Sequence, residues 1–155
     1  MFLMEHLRDF PEKPVDRIEH QYHIIIPKYD NSFHKLKPEK LAEYLEELSE
    51  RFGGTTIIPC AGTYIGKDGK LYIDESVLVI CQRIFSKNTS IEEAKRITEE
   101  DKEFLMEFSH KVGVDLGQES IFIAILPSNG ELITGEQRSS AKPEFIGTNW
   151  LSKYL

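Results

Sequence analysis

The sequence predicts a single α+β domain with the element order βαββαβ. Three observations predict it: extended and helical patterns alternate in that order, a tight turn joins the second and third strands, and a proline lies inside the second strand. A chain of 155 residues, 40% apolar and 29% charged, is long enough for one core. The order is the split βαβ arrangement of ferredoxin-like domains, an antiparallel four-stranded sheet with two helices on one face.

The first strand and the first helix have the clearest signals. Residues 22–27 are a β-branched run closed by proline, which is typical of a strand. Apolar residues then recur at helical spacing from Leu41 to Phe52, after Pro38 at a position that a first helical turn tolerates. Gly53-Gly54 ends this pattern.

Residues 55–84 form two extended runs around Gly66-Lys67-Asp68-Gly69, whose Asp-Gly supplies the positive φ of a hairpin turn. If the turn centres on Lys67-Asp68, paired positions sum to about 135. This register places Cys60 near Glu75 and Cys81 near Gly54. We therefore predict no disulfide, with Cys81 buried and Cys60, on an edge strand, as the more reactive thiol.

The second helical region and the last strand complete the order. Capping-box patterns begin at Ser90 and at Thr98, which predicts two consecutive helices or one kinked helix over residues 90–112. The apolar run 121–126 predicts the fourth strand. Residues 127–130 are read as a turn toward a weaker extended piece at 131–134.

Right-handed crossovers place the first and third strands at the centre of the sheet and the other two at its edges. Pro59 supports this order, because a central strand needs the N–H that proline lacks. We treat 1–155 as one domain, with a lead-in at 1–19, a ferredoxin-like core at 20–134 and a C-terminal extension at 135–155 that packs on the core or on a partner.

Both faces of the predicted sheet are apolar. In the third strand Val77 and Val79 oppose Leu78 and Ile80, and the fourth strand is apolar throughout. Such side chains would forfeit about 1.5–3 kcal/mol each in water. We expect the second face to be covered, by a homodimer in preference to the chain's own ends, with room for a ligand pocket under the cover.

Composition argues against several classes of function. The formal charge of −7 disfavours nucleic acid as a partner, and no apolar stretch is long enough to span a membrane. Two cysteines and the absence of a signal-peptide pattern predict a cytoplasmic protein. No motif predicts a cofactor.

The chain resembles a family of short, functionally uncharacterised ferredoxin-like proteins. The shared elements span about residues 22–126: Gly53-Gly54-x-Thr56, Gly62-x-Tyr64, Gly69-x-x-Tyr72-x-x-Glu75 and Gly117-Gln118-Glu119-Ser120. Tyr64 stands where the family often has tryptophan. The resemblance implies the fold and brings no catalytic residues with it.

The histidines do not predict a metal site or a two-histidine hydrolase. His20 and His23 lie three residues apart on a strand, so their rings point to opposite faces. None of the five histidines begins the His-x-Ser/Thr element that a two-histidine phosphodiesterase needs.

Two functional hypotheses remain. The first is a non-catalytic module that binds itself, and with it a small ligand or a protein partner. The second is a small enzyme with an acid–base pocket on the second sheet face, where Glu119 or His23 is the base and Tyr64 a hydrogen-bond donor. The candidate catalytic residues are His23, Tyr64, Glu75 and Glu119, and the candidate ligand-binding residues are Tyr64 and Gln118.

Overall fold

A computed structural model describes residues 17–131 and 148–155. The elements are β1 (Arg17–Pro27), α1 (Pro38–Phe52), β2 (Thr56–Ile65), β3 (Leu71–Phe85), α2 (Ile91–Leu116), β4 (Ile123–Glu131) and α3 (Thr148–Leu151), followed by a 3-10 turn (Ser152–Tyr154). The lead-in before residue 17 and most of the C-terminal extension lie outside the described residues.

The strands form one antiparallel sheet in the order β2-β3-β1-β4. This confirms the α+β, ferredoxin-like fold and the placement of β1 and β3 at the centre. The core lies between the sheet and the two long helices, and its residues are almost free of solvent contact. The sheet contributes Tyr22, Ile24, Ile26, Val77, Val79 and Cys81, and the helices contribute Leu41, Tyr44, Leu48, Leu105, Phe108 and Val112.

The register of the β2–β3 hairpin differs from the predicted one by one residue. Cys60 pairs with Ser76 rather than with Glu75, and every pair in the hairpin sums to 136. Gly66 N–H donates to the Lys70 carbonyl at 2.9 Å, so the loop has three residues, and Gly69 takes the positive φ of 79°. A one-residue shift reverses the faces, which is why the turn type decides where each side chain of the hairpin points.

α2 is one continuous helix, longer than the predicted pieces. Ser90 caps it by accepting a hydrogen bond from the Glu93 amide at 3.1 Å. The second predicted cap is wrong: the Thr98 hydroxyl donates to the Ala94 carbonyl at 2.8 Å, one turn back inside the helix.

β4 continues through the predicted turn at residues 127–130 and pairs with β1 as far as Glu131. The Ile25 amide donates to the Phe122 carbonyl at 3.0 Å, so even-numbered residues of β4 bond to β1 and odd-numbered residues face outward. Pro127 therefore occupies a position whose N–H would have no partner in the sheet. The strand tolerates it for that reason.

The second sheet face, which we call the open face, is apolar as predicted. Its central side chains, Ile25, Leu78 and Ile80, are half-buried. Toward the edges Ile58 is 43% exposed and Phe122 59%. Leu155 packs against the core cluster on the other side of the sheet.

Candidate functional site

The hairpin extends well beyond the part of the sheet that the helices cover. We call residues 60–76 the arm: from 61 to 75 every residue except Gly66 is exposed. It nevertheless carries several large apolar side chains. Ile65, Leu71 and Ile73 are 65%, 66% and 70% exposed. These three share one face of the hairpin, since Ile65 pairs with Leu71 and Ile73 with Thr63.

The other face of the arm carries two tyrosines in contact. The rings of Tyr64 and Tyr72 stack with centroids 5.5 Å apart and planes 19° apart. The Tyr72 hydroxyl donates to Asp68 in the turn, which raises the pKa of Tyr72 and lowers that of Asp68. This bond fixes the position of the Tyr72 ring. The stacked pair is therefore ordered although both rings are exposed to solvent.

Two more exposed aromatic side chains lie at the end of the sheet from which the arm projects. Phe33, in the loop after β1, is 87% exposed and has a φ of 62°, a conformation that bulky residues rarely adopt. Phe122, just before β4, is 59% exposed. This end of the molecule therefore presents several large apolar side chains to water.

The predicted catalytic residues do not come together within one chain. Tyr64 pairs with Tyr72 and His23 pairs with Ile80, eight residues further along β3. At the rise of a strand this is about 26 Å. His23 is half-buried on the open face, where its Nε2 is 3.4 Å from the Gln21 side-chain oxygen.

The remaining candidates lie at the arm end of the sheet. Glu75 is exposed at the base of the arm, where its carbonyl accepts from the Lys28 amide at 3.0 Å. Glu119 is exposed in the loop before β4. Gln118 is half-buried, and its side chain donates to the Leu116 carbonyl at 3.4 Å. Both carboxylates are open to solvent rather than enclosed.

The two histidines of β1 occupy opposite faces of the sheet. His20 is on the helix side, with its ring centroid 6.3 Å from that of Tyr22, and its Nδ1 is buried without a hydrogen-bond partner among the described residues. His23 is on the open face. In the described part of the chain, no group of three or more His, Cys, Asp and Glu side chains is arranged to hold a metal ion.

The sequence analysis missed a buried polar cluster on the helix side. Asp101 has no solvent contact and accepts from Tyr22 at 2.9 Å, from Arg83 at 2.8 and 2.7 Å and from Arg51 at 3.0 Å. We call these four residues the Asp101 cluster. Burial and the bond to Asp101 raise the pKa of Tyr22 well above its usual value. The bond to Asp101 likewise raises the pKa of Arg83.

A cleft of about 500 Å³ lies over this cluster. Its charged lining consists of three arginines and three glutamates: Arg51, Arg83, Arg96, Glu47, Glu50 and Glu100. Asp101 lies beneath this lining, bonded to Arg51 and Arg83. The lining charges cancel, so the cleft offers no positive field for an anion. Asp101 instead joins β1, α1, β3 and α2 through one carboxylate, which is a structural role.

No family model and no curated protein matches the chain. Its fold is similar to that of a phage SAM lyase. The lyase structure in complex with S-methyl-5′-thioadenosine is 14% identical, with 78% of this chain and 90% of that chain covered and a TM-score of 0.51. The apo structure of a phage SAM lyase is 18% identical over 79% and 94% of the two chains, with a TM-score of 0.46. At these identities the likeness shows the fold alone.

In the described residues no helix is both long enough and apolar enough to cross a membrane.

Proposed function

We propose that the protein is a self-associating binding module and that the arm is its contact surface. One observation carries the proposal: the arm presents five large apolar side chains to solvent, Tyr64, Ile65, Leu71, Tyr72 and Ile73. Full burial of an aliphatic side chain contributes about 1.5–3 kcal/mol. Covering these three residues and the two aromatic rings in a complex therefore contributes free energy that offsets the translational and rotational freedom lost on association.

A second copy is the partner that this surface favours. The exposed part of the five side chains amounts to about 100 Å² each, so the apolar side chains of one arm offer about 500 Å² to a partner, and the polar residues of the arm add to this area. A standard interface takes about 800 Å² from each partner. The chain's formal charge of −7 disfavours nucleic acid and anionic membranes as alternatives. Free Cys60 and Cys81 fit a reducing compartment, so we place the protein in the cytoplasm.

Size-exclusion chromatography with light scattering tests this proposal. The test variant combines Ile65→Ser, Leu71→Ser and Ile73→Ser, and the control is Ile91→Ser, which is 76% exposed at the start of α2. The wild type and the control should show the same oligomer mass, and the arm variant should be a monomer with an unchanged circular dichroism spectrum. A wild-type monomer at high concentration, or an arm variant that still associates, overturns the proposal.

A second candidate function is enzymatic. It is favoured by the similarity in fold to a phage SAM lyase that holds S-methyl-5′-thioadenosine. Glu75 and Glu119 are the carboxylates available as bases at the arm end of the sheet. His23 on the open face and Tyr64 on the arm lie too far from each other to act together in one chain.

Incubation with S-adenosylmethionine, followed by chromatography for S-methyl-5′-thioadenosine, tests this candidate. If the protein is such an enzyme, product should form above the protein-free background, and Glu75→Gln or Glu119→Gln should lower the rate at least tenfold. Glu93→Gln, an exposed residue on α2 remote from the arm, is the control. No product from the wild-type protein excludes this activity.

A further inference from the structure

The outer edge of β2 has a regular pattern of outward-pointing backbone groups that bond to no other described residue. Gly66 N–H bonds to the Lys70 carbonyl, so hydrogen-bonded pairs with β3 fall at even-numbered residues of β2. Odd-numbered residues therefore point their N–H and C=O groups away from the sheet. On the arm these are Ala61, Thr63 and Ile65.

This stretch lacks the features that usually protect an edge strand. Edges are commonly guarded by charged side chains, by proline or by a covering element. Pro59 faces outward and guards the inner part of β2, but residues 60–65 contain no proline and no charged side chain. The β4 edge differs in length, because outward-facing Pro127 leaves only Ile123 and Ile125 as outward residues before it in that strand. Of the two edge strands that the structure describes, β2 therefore has the longer unguarded stretch.

We propose that the arm of one copy pairs edge to edge with the arm of a second copy, antiparallel about a two-fold axis at Thr63, so that two sheets become one. The inference rests on the proposed self-association and names its contact. With Thr63 opposite Thr63 of the partner subunit, Ala61 lies opposite Ile65 of the partner subunit. This register satisfies all three outward amides of each arm.

The side chains favour the same arrangement. Paired residues across an antiparallel contact share a face, so Ile65 packs beside Ala61 of the partner subunit, next to Ile73 and Leu71 of its own arm. No like charges meet, since residues 60–65 are uncharged. An uncharged antiparallel edge is complementary to itself, which identifies the occupant as a second copy of this chain.

Disulfide trapping tests the register. Thr63→Cys, made in a Cys60→Ser background, places two thiols across a hydrogen-bonded pair, where Cα atoms lie about 5.5 Å apart, within disulfide range. Lys67→Cys in the same background is the control. In this register Lys67 lies opposite position 59 of the second copy, so the two Lys67 positions are separated by eight residues along the strands, about 26 Å. Mild oxidation should convert most of the first variant, and almost none of the second, into a covalent dimer.

A proline substitution tests the backbone contact separately. Thr63→Pro removes an outward N–H and leaves the ladder to β3 intact, whereas Thr63→Ala keeps that N–H. The proline variant should keep its circular dichroism spectrum and raise the dissociation constant of the dimer at least tenfold over Thr63→Ala. Edge pairing is wrong if both variants form a dimer equally well and if oxidation links the cysteines at neither position or at both. The proposed self-association would then still stand. A monomeric wild type overturns both.

Discussion

Asp101 is a carboxylate without solvent contact that two guanidinium groups share. Arg51 lies with its guanidinium carbon 4.9 Å from the Phe104 ring centroid, and Arg83 is 5.2 Å from that of Phe52. Both cations are thus fixed by aromatic rings as well as by Asp101. One residue of α2 therefore links α1, β1 and β3, so its substitution should be costly.

We predict that Asp101→Asn lowers the free energy of unfolding by about 3–5 kcal/mol, because two partly buried arginines lose their counter-charge. Urea denaturation followed by circular dichroism measures it. Glu93→Gln is the control, since this glutamate is half-exposed and lies 3.9 Å from an exposed Arg96. The control should change stability by less than about 0.5 kcal/mol. Equal losses in the two variants would contradict the role of the cluster.

A second prediction concerns alkaline pH. Burial and hydrogen bonds to Asp101 and Asp115 raise the pKa values of Tyr22 and Tyr44 in the folded protein. In the unfolded chain these tyrosines ionise near pH 10. The folded state then keeps protons that the unfolded state loses, so the contribution of these two tyrosines to stability is constant below about pH 10 and falls as pH rises above it.

The loss should approach about 1.4 kcal/mol per pH unit for each of the two tyrosines. Urea denaturation at a series of alkaline pH values measures the slope. The double variant Tyr22→Phe with Tyr44→Phe starts from lower stability but should have a shallower slope. A slope equal to that of the wild type would show that other groups cause the loss.

The two cysteines should differ in reactivity. Burial raises the pKa of Cys81 to about 12, whereas Cys60 is partly exposed on the edge strand. We expect Ellman's reagent to modify one thiol in the folded protein and both in denaturant. Cys60→Ser should abolish the reaction of the folded protein. Rapid modification of Cys81 in that variant would contradict its burial.

At the scale of elements, the N-cap of α2 is a separable contribution to stability. Ser90 accepts from the Glu93 amide in the first turn of a 26-residue helix. Ser90→Ala should lower the free energy of unfolding by about 1 kcal/mol, since one amide of the first turn loses its acceptor. Ser86→Ala, before the helix, is the control, because its hydroxyl bonds only to the Thr89 side chain. Urea denaturation distinguishes the two.

The sequence predicted those elements whose determinants are local. Turns and helix ends depend on residues next to them in sequence, such as the turn glycines and Ser90. The strand order follows from the order of the elements, from the position of Pro59 and from the rule for right-handed crossovers. β1 was predicted too short because residues 17–21 are mostly polar, although they pair with the end of β3. There the partner strand, not the intrinsic preference of the residues, decides the conformation.

The site was less predictable because its parts are distant in sequence. The Asp101 cluster joins residues 22, 51, 83 and 101, and nothing in the spacing of these residues indicates that they meet. The arm did leave a signal, since apolar residues flank the turn on both sides. Recognising it requires the length of the hairpin relative to the helices, which only the structure supplies.

At the scale of the whole molecule, the proposed association through the arm involves the folded chain, so stability and association should be coupled. A ligand that binds only the folded state stabilises it by mass action, and a second copy acts in the same way. We therefore predict that the thermal midpoint of the wild type rises with protein concentration. Calorimetry at several concentrations measures it.

In the triple arm variant Ile65→Ser, Leu71→Ser and Ile73→Ser the midpoint should be independent of concentration. The Ile91→Ser control should behave as the wild type does. A midpoint independent of concentration in the wild type would contradict association of the folded chain.

The two outward-facing prolines limit how far such a sheet can grow. Pro59 ends the stretch of β2 that a neighbour can bond to, and among the described strands the other edge, β4, is interrupted by Pro127. In the proposed pair both β2 edges would be used, and a third molecule would meet only the short part of β4 before Pro127. Such a pair would therefore favour a closed assembly of two over the fibres that an apolar strand edge can seed.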